Sequence, residues 1–251
     1  MILNIFIKIL GIALFIAVLV LFVSYICFRI VFYVPGKPEV SSDELPVPTG
    51  KIYEPYHHLM RRWIKEARGF QNEDFYIKSF DGLTLHAKYF EYAPGAVTEI
   101  MFHGYRGSAE RDLSGGIQRC FALGRNVLLV DQRTSCGSEG NVISFGINEH
   151  RDCLSWIDFA VKHFGSYIKL VLTGISMGAS TVLMAAGKPL PENWWFFVPK
   201  YLKNDTRQSK SHLHRALGKF TYARCASLIK AQIDADHQAM NSPTVKPSGR
   251  D

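Results

Sequence analysis

The sequence predicts an α/β fold: a mainly parallel sheet with helices on both faces, preceded by one transmembrane helix. Three observations predict it. Apolar, β-forming runs alternate with helical patterns from about residue 72 onward. A Gly-x-Ser-x-Gly segment, Gly174 to Gly178, separates a short apolar strand from a helix-compatible run. Near the N-terminus, Ile9 to Phe28 contains no charged residue.

Residues 1–34 are predicted to form the membrane anchor. The segment from Ile9 to Phe28 is long enough to cross a bilayer as a helix, and Lys8 and Arg29 bracket it. A cleavable signal peptide would have a shorter apolar core and a small-x-small site, and none is found before Pro35. Membrane lipid is therefore an expected partner of this helix. Basic residues after the span favour a cytoplasmic position for the rest of the chain: Arg29, Lys37, Lys51, Arg61 and Arg62.

Residues 35–71 are predicted to form a linker and an amphipathic helix. The stretch from Pro35 to Pro55 contains Pro, Ser and Gly. Between Tyr56 and Arg68, apolar side chains recur at helical spacing beside basic ones. Such a helix either packs on the following domain, which we favour, or lies on an anionic membrane surface. The apolar positions are Leu59, Met60, Trp63, Ile64 and Ala67.

Residues 72–193 carry the strand and helix alternation. A hairpin is predicted between Glu73 and Tyr92, turning at Asp81-Gly82. Strands are predicted before His103, before Gln132 and before Gly174. Helices are predicted over Arg111–Leu123, over Asn148–Phe164 and after Gly178.

The Gly174-Ile175-Ser176-Met177-Gly178 segment has the context of a nucleophile elbow, with a strand before it and a helix after it. In that turn, a serine hydroxyl stands at the tip of the sheet in a strained backbone conformation. Glycines are needed on either side because larger side chains would collide with the neighbouring strand and helix. The alternative is an ordinary Gly-Ser loop. The flanking strand and helix favour the elbow, with Ser176 as the catalytic nucleophile.

A strand ending in His103-Gly104 supplies the second half of this signal. A catalytic serine needs two backbone N–H donors to hold the oxyanion that forms on attack at a carbonyl. We predict that Met177 supplies one and Tyr105 the other, although His103-Gly104 alone could be an ordinary glycine turn. Asp131, after the next strand, is predicted to organise its loop by accepting hydrogen bonds from backbone N–H groups.

These residues together resemble the α/β-hydrolase superfamily, and most closely its membrane-anchored bacterial branch related to serine aminopeptidases and lysophospholipase-like hydrolases. The resemblance covers about half of the chain, from Asn72 to Asn193. It implies a serine hydrolase that forms an acyl-enzyme through Ser176, needs no cofactor and acts on a small-molecule ester, lipid-like or peptide substrate. The segments that carry it are Asp81–Leu85, His103–Gly107, Asp131–Arg133 with Gly137 and Gly140, and Gly174–Gly178.

Residues 194–251, an atypical basic tail, do not match this pattern, and the fold is expected to be incomplete at its C-terminus. No further strand is expected after Asn193. In α/β-hydrolases an Asp or Glu and then a His follow the serine, and His237 is the best candidate base in the tail. Three explanations stay open: a truncated or frame-shifted end, a divergent lid with a relocated base, or a pseudoenzyme that lacks the catalytic Asp and His.

Composition argues against metal and nucleic-acid chemistry. The five cysteines show no metal-ligand spacing. The close histidine pairs, His57-His58 and His212-x-His214, lack acidic or cysteine partners at useful spacing. The net charge of +7 lies mostly in the segment from Glu192, which carries ten Lys/Arg and five Asp/Glu, and this segment has no nucleic-acid-binding motif. We expect no metal site, no cofactor and no nucleic-acid partner.

Overall fold

The computed structural model describes residues 2–36 and 45–188, together with the backbone of residues 194–196. The rest of the tail, including the candidate base His237, lies outside the described residues. The helices are α1 (Ile2–Val31), α2 (His57–Gly69), α3 (Ala109–Ala122), α4 (Glu149–Phe164) and α5 (Met177–Ala186). The strands are β1 (Glu73–Lys78), β2 (Thr84–Phe90), β3 (Thr98–Phe102), β4 (Asn126–Asp131), β5 (Leu170–Gly174) and β6 (Trp194–Phe196).

The strands form one six-stranded sheet in the order β1-β2-β4-β3-β5-β6. Strand β2 is antiparallel to both of its neighbours, whereas β4, β3, β5 and β6 are parallel to one another. The hairpin of β1 and β2 turns through Gly82, whose φ of +87° favours glycine. The predicted mainly parallel sheet is confirmed, and its parallel strands present their carboxyl ends at one edge.

Helices cover both faces of the sheet, as predicted. Helices α4 and α5 pack on one face, where Trp156 is fully buried against residues of the central strands. Helix α3 packs on the other face, with Leu113 and Ile117 against Met101. The central strands β3 and β4 are buried along their whole length because they are covered on both sides.

Helix α2 packs on α3, which confirms the favoured interpretation of the amphipathic segment. Its apolar stripe is buried except at the half-buried Met60. Trp63 lies so close to Gly115 of α3 that a Cβ there would be 2.6 Å from the indole ring. The Gln118 side chain donates a hydrogen bond of 3.1 Å to the Trp63 carbonyl. The basic side chains lie on the other, exposed face. Arg68 pairs with Glu110 at the N-terminal end of α3.

Helix α1 is long and apolar enough to cross a membrane, and none of its described residues is buried. At a rise of about 1.5 Å per residue, its 30 residues extend roughly 45 Å, more than the roughly 30 Å hydrocarbon core of a bilayer.

Strand β6 corrects the expectation that no strand follows Asn193. The backbone of Trp194–Phe196 pairs in parallel with Leu170–Leu172 of β5. Aromatic residues favour strands, and Trp194 to Val198 is an unbroken apolar run, but the prolines at positions 189, 191 and 199 that flank it argued against a strand in the sequence. The edge of β5 is therefore paired over three residues.

A buried ionic cluster joins β3, α3 and β5. Glu99 is fully buried and accepts hydrogen bonds from Arg119, from Arg125 (2.8 Å) and from the Thr173 hydroxyl (2.5 Å). Burial alone would raise the pKa of Glu99, but the Arg119 charge and the hydrogen bonds from Thr173, Arg125 and Arg119 outweigh it and hold that pKa below its ordinary value. Because Thr173 immediately precedes Gly174, this cluster fixes the strand that leads into the serine.

We expect Glu99→Gln to destabilise the detergent-solubilised chain by about 3 kcal/mol, because it leaves a buried guanidinium without its charge partner. Asp158→Asn is the matched control: its pair with Lys162 is solvent-exposed, and its loss should cost less than about 1 kcal/mol. Because the pKa of folded Glu99 is lowered, its stabilising contribution is present above the unfolded value of 4.5 and is lost as pH falls. Denaturant unfolding of both variants measures the difference, and equal costs would contradict a central role for the cluster.

Candidate active site

Ser176 stands between the end of β5 and the start of α5 in an unusual backbone conformation. Its φ is +55° and its ψ is −113°, a combination that non-glycine residues rarely adopt and that costs on the order of 1–3 kcal/mol. The side chain is exposed. A strained, accessible serine between a buried strand and a helix N-terminus is the geometry predicted for a nucleophile elbow.

The two glycines of the elbow are required by close backbone contacts. A Cβ at Gly174 would lie 2.1 Å from the Gly178 carbonyl oxygen, and a Cβ at Gly178 would lie 2.1 Å from the Phe102 carbonyl oxygen. The backbone N–H of Ile175 also donates to Phe102, at 3.0 Å. The elbow is thus pressed against the carboxyl end of β3, where no side chain fits.

The His103-Gly104 turn lies beside the serine. The Cβ position of Gly104 is 3.7 Å from the Ser176 Cβ, and the Gly107 N–H donates to the Gly104 carbonyl at 3.1 Å to close the turn. Arg106 within this turn has a φ of +49°. Among residues 2–36 and 45–188, no acceptor takes the backbone N–H of Tyr105 or of Met177. The structure brings together the segments that carry the three predicted site residues.

A buried polar network holds this turn in place. The Gln132 backbone N–H donates to His103 Nε2 at 3.1 Å, so the proton of the neutral ring is on Nδ1, which donates to the Gly104 carbonyl at 2.8 Å. The Gln132 side chain donates to the His103 carbonyl at 2.6 Å and accepts from the Thr181 hydroxyl at 3.0 Å. The ends of β3 and β4 are thereby tied to α5. Burial lowers the pKa of His103, which keeps the ring neutral.

Asp131 organises the loop after β4, as predicted. It accepts a backbone hydrogen bond from Gly137 at 3.2 Å. The sequence did not reveal its closest side-chain partner, His86, whose Nδ1 lies 2.7 Å from Asp131 Oδ2 and whose Nε2 lies 2.8 Å from Asp74 Oδ1. The strand register places His86 directly opposite Asp131, so the pair could be found only once β2 was known to lie beside β4.

The described residues supply no base to Ser176. Six histidines lie in this part of the chain, and none of them forms a hydrogen bond with Ser176. His103 and His86 use both ring nitrogens elsewhere, and His150 bonds to the Gly146 carbonyl at 2.9 Å. His163 is exposed and lies against the rings of Phe75 and Phe159. The predicted candidate His237 lies outside the described residues and stays a prediction.

A cavity of about 210 Å³ lies beside the elbow on the Met177 side. Three segments form most of its wall: the turn at residues 106–108, the loop at residues 133–136 and the chain leaving α1 at Val34-Pro35. Ser176 is not part of its wall, whereas His103 and Met177 are. Arg133 is held there by a two-pronged ion pair with Asp152, at 2.6 and 2.7 Å. No group of three or more potential metal ligands occurs within residues 2–36 and 45–188.

The end of helix α1 docks on the same turn, which the sequence analysis did not foresee. The Tyr105 hydroxyl donates to the Val31 carbonyl at 2.6 Å, and the Arg106 guanidinium donates to the Ile30 carbonyl at 2.7 Å and to the Tyr33 carbonyl at 3.2 Å. These donors satisfy carbonyl groups that a helix leaves free in its last turn. We name this contact between Tyr105-Arg106 and residues 30–33 the anchor clamp.

The chain beyond the anchor clamp pairs with the loop before α4. Tyr33 bridges to Val142, the Val34 N–H donates to Asn141 at 2.8 Å, and the Ile143 N–H donates to Phe32 at 2.8 Å. Phe145 stacks on Tyr105 at 5.0 Å and meets Phe32 edge-on at 5.6 Å. No sequence pattern predicts these contacts because they join residues 40 or more positions apart in the chain.

No family model matches the sequence. Solved structures similar in fold are esterases and α/β serine hydrolases. They include the Pyrococcus furiosus esterase Pf2001 (20% identity over 66% of this chain and 63% of that one, TM-score 0.45) and a Xanthomonas campestris serine hydrolase without a lid (21%, 54% and 64%, TM-score 0.42). A serine hydrolase homologue from Coxiella burnetii is a third (20%, 47% and 59%, TM-score 0.40). The chain spans less than two thirds of the length of each.

We expect Gly178→Ala to destabilise the protein by about 3 kcal/mol or more, because the new Cβ meets backbone at 2.1 Å that cannot move aside. Gly187→Ala, at the other end of α5, is the matched control. Its φ is −76° and the nearest atom to its Cβ position is 3.5 Å away, so its midpoint should change little. Thermal unfolding in detergent compares the two variants, and similar midpoints would contradict the close contact at the elbow.

We expect the stabilising contribution of His86 to disappear at alkaline pH. Burial alone would lower the pKa of His86, but its hydrogen bonds to Asp131 and Asp74 outweigh burial and raise that pKa. The contribution is therefore complete below the ordinary value of 6.5 and is lost as pH rises through the raised pKa. The difference in unfolding free energy between wild type and His86→Gln, followed from about pH 6 to about pH 9, should shrink. A difference in unfolding free energy that stays constant over this pH range would contradict a stabilising role for protonated His86.

Proposed function

We propose that this chain is a membrane-anchored serine hydrolase of the α/β-hydrolase type, acting on an ester or amide through Ser176. The observation that carries the proposal is the backbone of Ser176, which is held at a φ of +55° with its side chain exposed. Such strain persists only where surrounding contacts enforce it. Here Gly174 and Gly178 enforce it at the edge of the sheet where the parallel strands end.

The reaction follows from the groups around the serine. Ser176 Oγ attacks the carbonyl carbon of the substrate, and a base takes the hydroxyl proton. Negative charge develops on the carbonyl oxygen, where the backbone N–H groups of Tyr105 and Met177 donate hydrogen bonds. Protonation of the leaving alcohol or amine releases it and leaves an acyl group on Ser176. Water then attacks the acyl-enzyme and regenerates the free serine.

The base of this reaction has to come from beyond the described residues. His212, His214 and His237 are the histidines of the tail, and His237 is the one we propose, because Ile233–Met240 faintly resembles the loop that carries the catalytic histidine in α/β-hydrolases. A serine without a positioned base is a weak nucleophile. His237→Gln should therefore remove reactivity at Ser176 if this assignment is right.

The docking of residues 30–34 supports a retained anchor over a cleaved leader. Cleavage within this segment would remove the bridge between Tyr33 and Val142 and the hydrogen bond from Val34 to Asn141. The exposed, apolar helix α1 continues directly into these contacts. We propose a single-pass protein of a bacterial cell membrane, with substrates among small-molecule esters, lipid-like esters and peptides.

A catalytically silent protein of the same fold is the second candidate. The observation that favours it is that no hydrogen bond joins Ser176 to any histidine of the described segments. In that case the elbow would persist as part of the fold, while the protein would serve as a membrane-bound scaffold. The two candidates differ in one measurable property, the reactivity of the Ser176 hydroxyl.

We expect a fluorophosphonate probe to label the full chain in detergent, because such probes require an activated serine and an oxyanion hole. Ser176→Ala should abolish the labelling. Ser180→Ala is the matched control, since Ser180 lies one turn further along α5 and has no proposed role in the chemistry. Labelling lost only in Ser176→Ala supports the hydrolase, whereas an unlabelled but folded wild type supports the silent protein.

A further inference from the structure

We propose that the face of the protein around Ser176 is a membrane-contacting surface, held against the bilayer by the anchor clamp, so that the site receives acyl chains directly from the lipid phase. The inference rests on the proposed anchor and deepens the proposed function. It identifies the substrate class as carboxyl esters or amides of bilayer-resident amphiphiles, rather than peptides dissolved in water.

The depth of the clamp in the bilayer follows from the anchor sequence. The uncharged span ends at Arg29, whose guanidinium lies 3.9 Å over the Tyr33 ring. An arginine and a tyrosine at the end of a span are typical of the membrane–water interface. Ile30 and Val31 follow within about 3 Å along the helix axis. The side chains of Tyr105 and Arg106 that bind their carbonyls must therefore lie at the interface as well.

Direct contacts connect the anchor clamp to Ser176, so the serine lies near the same depth in the bilayer. The hydroxyl of Tyr105 holds the Val31 carbonyl at 2.6 Å, and Tyr105 follows Gly104 in the chain. The Cβ position of Gly104 is 3.7 Å from the Ser176 Cβ. One short turn of backbone thus reaches both the end of the anchor and the nucleophile. A domain joined by a flexible tether alone would show no such contact.

Exposed apolar side chains surround the clamp. Phe32 and Phe145 are 37% and 38% exposed although they pack against each other, and Ile147 is 64% exposed. Phe145 has a φ of +53°, a strained conformation for an aromatic residue. Gly146 beside it lies against Ser180 of α5, with its Cβ position 3.3 Å from the Ser180 Cβ. This apolar loop therefore lies between the anchor and the elbow helix, where exposed aromatic rings suit the interface.

The positive charges beside these apolar side chains support a bilayer as the partner that contacts this surface. Arg106 is exposed, and Arg29 directly precedes Ile30, whose carbonyl Arg106 binds, so two cationic residues belong to this end of the anchor. Cations beside aromatic rings match a membrane with anionic headgroups. A substrate ester at the headgroup level would then reach Ser176 while its acyl chain stays in lipid.

The test measures the depth of two labelled positions in liposomes of phosphatidylcholine and phosphatidylglycerol. Cys27, Cys136 and Cys225 are replaced by serine, which leaves only the buried Cys120 and Cys153. A fluorophore is then attached at Ile147→Cys or, as the matched control, at Tyr167→Cys. Tyr167 is 91% exposed and lies just before β5, at the opposite edge of the sheet from Ser176. A separate variant that keeps Cys27 and carries serine only at positions 136 and 225 is labelled at Cys27 to report insertion of the anchor.

We expect nitroxide-bearing lipids to quench the probe at position 147 several-fold more than the probe at position 167. Combining Tyr105→Phe with Arg106→Gln removes the side-chain bonds of the clamp and should reduce that difference. Equal quenching at both positions, with the Cys27 probe quenched, would overturn the proposal. An unchanged difference in the double variant would overturn the role of the clamp.

The substrate class is tested with two fluorophosphonates in the same liposomes, one with a long alkyl chain and one with a water-soluble linker. Faster labelling of Ser176 by the alkyl probe supports lipid-phase delivery, and equal rates contradict it. The quenching measurement needs no reactive serine and should be the same in Ser176→Ala. A chain that shows the depth difference but is labelled by neither probe would therefore disprove the hydrolase and retain the membrane surface.

Discussion

The contact between the start of helix α5 and the carboxyl end of β3 is the constraint on which the candidate site depends. The Gly178 backbone lies so close to the Phe102 carbonyl that no side chain fits between them. The helix must therefore begin directly above the sheet edge, and the chain can enter it from β5 only through a residue at positive φ. Ser176 occupies that position, which lifts its side chain out of the sheet edge and leaves the Met177 N–H without an acceptor within the described segments.

The elements that build this arrangement could be predicted from the sequence because their signals are local. Continuous apolar runs in β3 and β4 match strands that are buried on both faces. The stripe of α2 and the glycines of the elbow likewise depend on spacing within a few residues. Once the strand order is known, the side of the sheet to which each helix goes follows from the right-handedness of crossovers between parallel strands. The loop role of Asp131 was predictable because it ends a strand before a glycine-rich segment.

The interactions that the sequence could not reveal are those between distant segments. Glu99 looks like an interruption of an apolar strand, and only the fold shows that Arg119, Arg125 and Thr173 surround it. Strand β6 is too short to give a periodic pattern, and its pairing with β5 depends on where the chain returns after α5. The base of the proposed reaction would belong to this class too. An imidazole is recruited by tertiary position rather than by local sequence, so a motif cannot identify it.

The turn that contains Gly104 and Tyr105 contacts both the end of helix α1 and Ser176. The Tyr105 side chain binds the last turn of α1, while its backbone N–H has no acceptor among residues 2–36 and 45–188 and lies one residue from the Gly104 contact with Ser176. Any tilt of the anchor relative to the domain must break the bonds at Val31, Ile30 and Tyr33 or move the turn with it. A helix that spans the membrane and is attached as we propose would determine which face of the domain meets the bilayer, and that face would be the one that bears Ser176.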